Sequence, residues 1–175
     1  MFGGGGKPLT PVPPPAMAGG ATSDAASSVS DFEAVALAEA VVMKAYTLHD
    51  TLYNTHDRPA VMKAAQAEAL AAVDAAEAAV EAVGGVGADT ELQARLWYLR
   101  GKAAASAADC RSSPVAEALL ADAVKLDPQR VDAWNTLGEC YWARGELDAA
   151  RHCFVGALDH KRNAESLSHL SMLLV

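Results

Sequence analysis

Apolar residues return at intervals of three and four in one stretch of this chain after another, and no stretch shows the apolar–polar alternation of a half-buried strand. Leu37, Val41, Ala45, Leu48 and Leu52 mark one stripe on a first helix, widened by Val42, Tyr46 and Tyr53. Ser30 followed by Glu33 reads as the capping box that opens it. N-T-H-D-R-P closes it ahead of Pro59, which is tolerated only at a helix start. A second helix follows to about Val83, with Met62, Ala69, Val73, Ala76, Val80 and Val83 as a narrow seam. Twelve of the 24 residues from Ala60 to Val83 are alanine, which favours helix and lets a neighbour approach closely. Gly84 is suited to a left-handed cap. Residues 31–88 are therefore expected to form an antiparallel helical hairpin.

T-E-L-Q at Thr90 to Gln93 reads as another capping box, opening a third helix through Trp97 and Gly101 to about Ala107. Ser113 and Pro114 read as cap and first turn of a fourth, which runs through Leu119, Leu120 and Val124 to Asp127 and Pro128. Beyond them Trp134, Leu137, Gly138 and Tyr141 are followed by Ala150, Phe154 and Ala157, with Gly145 between the two groups. These intervals match the tetratricopeptide pattern, whose ideal period is about 34 residues. The spacing has a mechanical cause. A glycine at 138 allows the second helix of the pair to cross close to the first, and the large residues fill the space on either side.

Trp97 and Gly101 occupy the first-helix positions of a preceding unit, and Ala116, Leu120 and Ala123 its second-helix positions. Gly101 and Gly138 stand 37 residues apart, so that unit is expected to carry a lengthened inner turn at D-C-R-S-S. N-A-E-S-L-S-H-L-S-M-L-L-V starts a further helix, strongly apolar through Leu167, Leu170, Leu173 and Leu174. Repeat arrays end in polar caps, so a truncated product of a longer protein, or a self-associating fragment, is expected. The reading is all-α: a helical hairpin followed by tetratricopeptide-type helix pairs in a right-handed α-solenoid, truncated in a third repeat. Residues 1–30 form a Gly- and Pro-rich leader expected to be disordered, with PVPPP as a possible polyproline ligand. The repeat region occupies 89–175, divided near 94–130, 131–163 and a partial 164–175.

The register set by Trp134 places Asp132, Asn135, Glu139 and Trp142 toward the concave groove that first helices line in such arrays. The preceding repeat contributes Arg95, Tyr98 and Lys102, and the last helix Ser166 and His169. Both ends of an asparagine amide can pair with a peptide backbone. Glu139 favours a cationic peptide residue and Lys102 an acidic one, while Trp142 offers a flat apolar platform.

W-N-T-L-G-E-C-Y-W, C-F-V-G-A-L and R-N-A-E-S-L-S-H-L-S-M fix polar positions that a generic repeat leaves open. Over Trp97 to Leu174, and more weakly from about Phe32, the chain resembles a tetratricopeptide-repeat family of stress-responsive transcription cofactors also implicated in tubulin autoregulation. That resemblance implies a scaffold that recognises the Met-Arg-Glu start of nascent tubulin at the ribosome and promotes tubulin mRNA decay. It also implies, as the second reading, a nuclear cofactor scaffold bridging an acetyltransferase and a transcription factor, and the family carries further repeats and an OB fold. After L-S-M-x-L the family has a basic residue that helps hold the peptide. This sequence has Val175, which lowers the expected affinity.

Composition narrows the remaining choices. The chain has 175 residues, 51% hydrophobic and 21% charged, with a formal charge of −8. An acidic balance argues against direct nucleic-acid binding and against anionic membrane surfaces. Cys110, Cys140 and Cys153 lack C-x-x-C spacing and read as reduced thiols in an intracellular compartment, and the resemblance implies a cytoplasmic location, a nuclear one or both. No histidine pair has metal-ligand spacing, the glycines of residues 3–6 follow no strand, and no catalytic constellation stands out. Neither an enzyme nor a cofactor is expected. A chaperone adaptor clamping a C-terminal carboxylate is a further alternative, for which only Arg95 and Lys102 supply cations.

Overall fold

The computed structural model of the chain describes residues 23–51, 57–83, 90–106 and 113–173, with side-chain surroundings from Phe32 onward. Residues 1–22 of the leader, the Gly84 cap and residues 109–112 of the D-C-R-S-S turn, Cys110 among them, lie outside the described residues, whereas residues 23–30, expected to be disordered, belong to the first helix. Seven helices follow one another and no strand is present among the described residues: α1 (Ser23–Thr51), α2 (Arg58–Val83), α3 (Thr90–Ala105), α4 (Pro114–Leu126), α5 (Val131–Ala143), α6 (Leu147–His160) and α7 (Ala164–Leu173). Helices α1 and α2, α3 and α4, and α5 and α6 pair most closely, and each pair stacks on the next.

The first helix begins seven residues before the expected start, so Ser30 lies inside it and does not cap it. No glycine or proline separates Ala21 from Ser30, and Ala25 and Ala26 carry the helix backward at little conformational cost. The buried stripe of α1 also differs from the expected one: Val35, Ala38, Val42 and Ala45 face the core, whereas Leu37 is 69% exposed. Apolar residues surround α1 on every side, so the spacing alone does not select a face. In α2 the large residues are few, and Met62, Ala69, Val73, Ala76 and Val80 are all buried.

Within the repeats the glycines permit the closest approaches. A Cβ on Gly138 would lie 2.5 Å from Phe154 Cε1, and one on Gly101 would lie 2.7 Å from Leu120 Cγ. Either distance is too short for any real side chain, so the helices meet there because glycine has none. Leu137, Ala150, Phe154 and Ala157 are buried, and Trp97, Trp134 and Tyr141 are half-buried around them. The Trp134 indole donates to Pro128 O at 2.8 Å and stacks against His160. Gly145 turns α5 into α6 with φ of 84°, a left-handed conformation that disfavours any residue with a Cβ.

Helix starts are set by different means. Ser113 takes the extended backbone of a cap before α4, with Pro114 at the first turn, but its side chain makes no capping hydrogen bond. Asn163 does cap α7, its Oδ1 accepting from the Ser166 N–H at 2.7 Å. Leu167 and Met172 on α7 are 48% and 52% exposed, and no helix among the described residues follows to cover them.

Candidate peptide-binding groove

Helices α1, α3, α5 and α7 present one continuous polar row. Its first link joins α1 to α3, where Arg95 pairs with Glu39. Seven residues further along both helices, the Lys102 ammonium sits 4.7 Å from the centre of the Tyr46 ring. Equal spacing along the two helices means that α1 runs parallel to α3, as first helices of successive units do. Lys102 donates to the Tyr98 hydroxyl at 2.9 Å. Both residues are buried. Burial holds the Tyr98 phenol well above its ordinary range, helped by Asp132 and Glu39. The same cause draws the Lys102 ammonium down, opposed first by Glu139 and then by Asp132, Glu165 and Glu39.

The next link reaches α5. The Tyr46 hydroxyl donates to the Glu139 carboxylate, a contact between residues 93 apart in sequence. Glu139 Oε1 also lies 3.5 Å from His169 Nε2 on α7. The His169 ring stacks on Phe154 at 4.7 Å between centres and meets the edge of Trp142 at 6.1 Å. Among the described residues its buried Nδ1 has no hydrogen-bond partner. His169 thus serves the packing of α5, α6 and α7 as much as it serves the groove.

The last link is a closed polar pair. Asn135 is 1% exposed and Ser166 fully buried. The Ser166 hydroxyl donates to Asn135 Oδ1 at 2.5 Å, and Asn135 Nδ2 donates to Glu165 Oε2 at 3.1 Å. Both ends of this amide are engaged, so Asn135 holds α5 against α7 rather than waiting for a peptide backbone. Lys102, roofed by Tyr46 and bonded to Tyr98, is similarly occupied, which limits it as a receptor for an acidic side chain. Asp132 and Glu165 remain exposed, Glu39, Arg95, Glu139 and Trp142 are half-buried, and carboxylates outnumber accessible cations along the row.

Glu39, Tyr46 and Glu165 join the row without having been expected there. A sequence signal existed for the first two. Glu39 and Tyr46, Arg95 and Lys102, and Asp132 and Glu139 are each seven residues apart, two turns on the same face. A cleft of about 600 Å³ opens instead at the inter-repeat rim, among Glu91, Asp127, Arg130, Asp132 and Lys161. It shares only Asp132 with the row, and Arg130 Nε there lies 3.3 Å from Asp127. The linked row is the better candidate because four helices contribute to it in register. Among the described residues no cluster of His, Cys, Asp and Glu could hold a metal ion, and no helix is long and apolar enough to cross a membrane.

Comparison with known proteins agrees with this architecture. The family model described as tetratricopeptide repeat matches residues 115–171, from α4 through most of α7. Tetratricopeptide repeat protein 5 of Homo sapiens is 52% identical over 82 residues, 47% of this chain and 18% of the relative. The Mus musculus protein of the same name is 49% identical over 84 residues, 48% of this chain and 19% of the relative. That of Bos taurus is 58% identical over 62 residues, 35% of this chain and 14% of the relative. The chain spans less than a fifth of the length of the curated relatives it matches. Helix pairs keyed by Gly101 and Gly138, the matched repeat and these relatives converge: the chain is all-α, its helices from α3 onward pair in the tetratricopeptide manner, and about half its length is similar to tetratricopeptide repeat protein 5.

Proposed function

We propose that this chain is a non-catalytic scaffold whose concave row binds an extended peptide, of the kind implied by its resemblance to factors that recognise nascent tubulin. The observation that carries the reading is the linked polar and aromatic row across α1, α3, α5 and α7. Parallel first helices give an extended chain a regular floor, and repeat arrays use such surfaces for peptides. The exposed and half-buried carboxylates favour a peptide that carries a cation. Met-Arg-Glu, the start of nascent tubulin, carries one beside an acid. Cytoplasm is the compartment where a nascent chain would be met.

A fluorescently labelled Met-Arg-Glu peptide titrated against the full chain, followed by anisotropy, tests this directly. Saturable binding is expected, weakened at least roughly tenfold by Glu139→Lys, because a like charge opposite the peptide arginine costs several kcal/mol. Binding unaffected by that substitution would move the peptide away from this row. Absence of saturable binding would remove the peptide reading altogether.

A further inference from the structure

The contact between Tyr46 and Glu139 is unlike the others in the row. It leads from α1 to α5, past Lys102 of the intervening α3, and it puts a neutral hydroxyl on the central carboxylate. We propose that Tyr46 sets the affinity of the groove for cationic peptides by competing, through its hydroxyl, for the Glu139 carboxylate. The proposal rests on the peptide-binding reading and adds a residue to it.

Glu139 is half-buried, so the group that satisfies it matters more than at an open surface. Its surroundings are Tyr46 from α1, His169 Nε2 from α7 at 3.5 Å, and Lys102 from α3, whose ammonium donates to Tyr98 and acts on Glu139 through its charge. A peptide guanidinium would make a charge-assisted bond that the phenol cannot match. To take both carboxylate oxygens it competes with the hydroxyl for Oε2. A peptide with an apolar side chain in that position has no donor to offer Glu139 and leaves Tyr46 where it is. The ring need not leave Lys102 during the exchange, since rotation of the hydroxyl end away from Glu139 suffices to expose the carboxylate.

Tyr46→Phe separates the two halves of the residue, keeping the ring over Lys102 and deleting the competitor. With Met-Arg-Glu as probe, this variant should bind roughly 3- to 10-fold tighter than the parent, the range expected when one competing hydrogen bond is removed. With Met-Leu-Glu, whose central side chain has no donor, parent and variant should bind alike. Equal or weaker binding of the arginine peptide by Tyr46→Phe would overturn the proposal while leaving peptide binding in place. A ligand-free measurement accompanies it: urea unfolding of the parent, Tyr46→Phe, Glu139→Gln and the double variant. Losses that are smaller together than in sum show that the contact exists, and strictly additive losses overturn it. If no variant binds either peptide, the peptide reading fails and the competition with it, even where the unfolding cycle shows coupling.

Discussion

In α5–α6 two helices meet where Gly138 lies against the ring of Phe154; in α1–α2 they meet along Val35, Ala38, Val42 and Ala45 on one side and Ala69, Val73, Ala76 and Val80 on the other. Both pairs bring backbones close, but by different means. The repeat concentrates its closeness at one glycine facing one large ring. The hairpin spreads it over a seam of small side chains, with no glycine in either helix. A keyed contact fixes the register of two helices at a single point. A seam of alanines tolerates small shifts, because many near-equivalent contacts replace one another. Loss of stability should accordingly be concentrated in the repeat and diffuse in the hairpin.

The largest effect is expected from Phe154→Ala, which empties the space above Gly138 and should cost about 3–5 kcal/mol in urea unfolding. A loss near that of a single hairpin methyl would show that the repeat is no more keyed than the hairpin. Gly138→Ala should follow. Alanine ordinarily favours a helix interior by about 1 kcal/mol over glycine. Here its Cβ would meet Phe154, and overpacking of this sort costs about 1–3 kcal/mol. Adding Phe154→Leu to Gly138→Ala should restore part of the loss, a coupling that additive losses would deny. Val73→Ala in the hairpin removes two carbons at about 0.8 kcal/mol each, so about 1–2 kcal/mol should be lost. A loss there as large as that of Phe154→Ala would invert the comparison.

The smallest effect is expected from pH. Cys153, buried between α5 and α6, has its thiol pushed up to about 11 from an ordinary 9.0, by burial first and by Glu117 second. The unfolded thiol therefore ionises before the folded one, and the folded state holds the extra proton. Stability should fall as pH rises from about 9 towards 11. Cys153→Ala should remove that part of the slope when unfolding is compared at pH 8 and pH 10.5. Tyr141, pushed up to about 12 by burial and Glu117, acts in the same sense at higher pH and remains in both chains. An unchanged slope in Cys153→Ala would mean that the thiol is not held by the repeat core.

The same contrast governs what could be read from sequence. The all-α class and the tetratricopeptide pairing were legible because a keyed contact leaves a sparse signature: a glycine, an aromatic residue and small residues at fixed intervals. The seam of α2 was legible because Met62, Val73 and Val80 stand out among alanines. The stripe of α1 was not, since Leu37 and Val41 are as apolar as the buried Val35 and Val42. Its early start at Ser23 was hidden because Ser30, of a residue type favoured at caps over helix interiors, read as the boundary.

At the candidate site the first-helix register brings together Arg95, Tyr98, Lys102, Asp132, Glu139 and Trp142. It could not tell which side chains would be spent on one another. The pairing of Asn135 with Ser166 joins residues 31 apart and arises only when α7 stacks on α5. The burial of Lys102 depends likewise on Tyr46 from a helix more than 50 residues earlier. Such contacts have no local spacing to announce them.

Hydrogen–deuterium exchange of the full chain with and without the Met-Arg-Glu peptide tests peptide binding by the concave row most directly. Slowed exchange confined to α3, α5 and the flanking faces of α1 and α7, with α2, α4 and α6 unchanged, is the expected result. Slowing at the inter-repeat rim around Arg130 and Lys161, or none anywhere at saturating peptide, would contradict it.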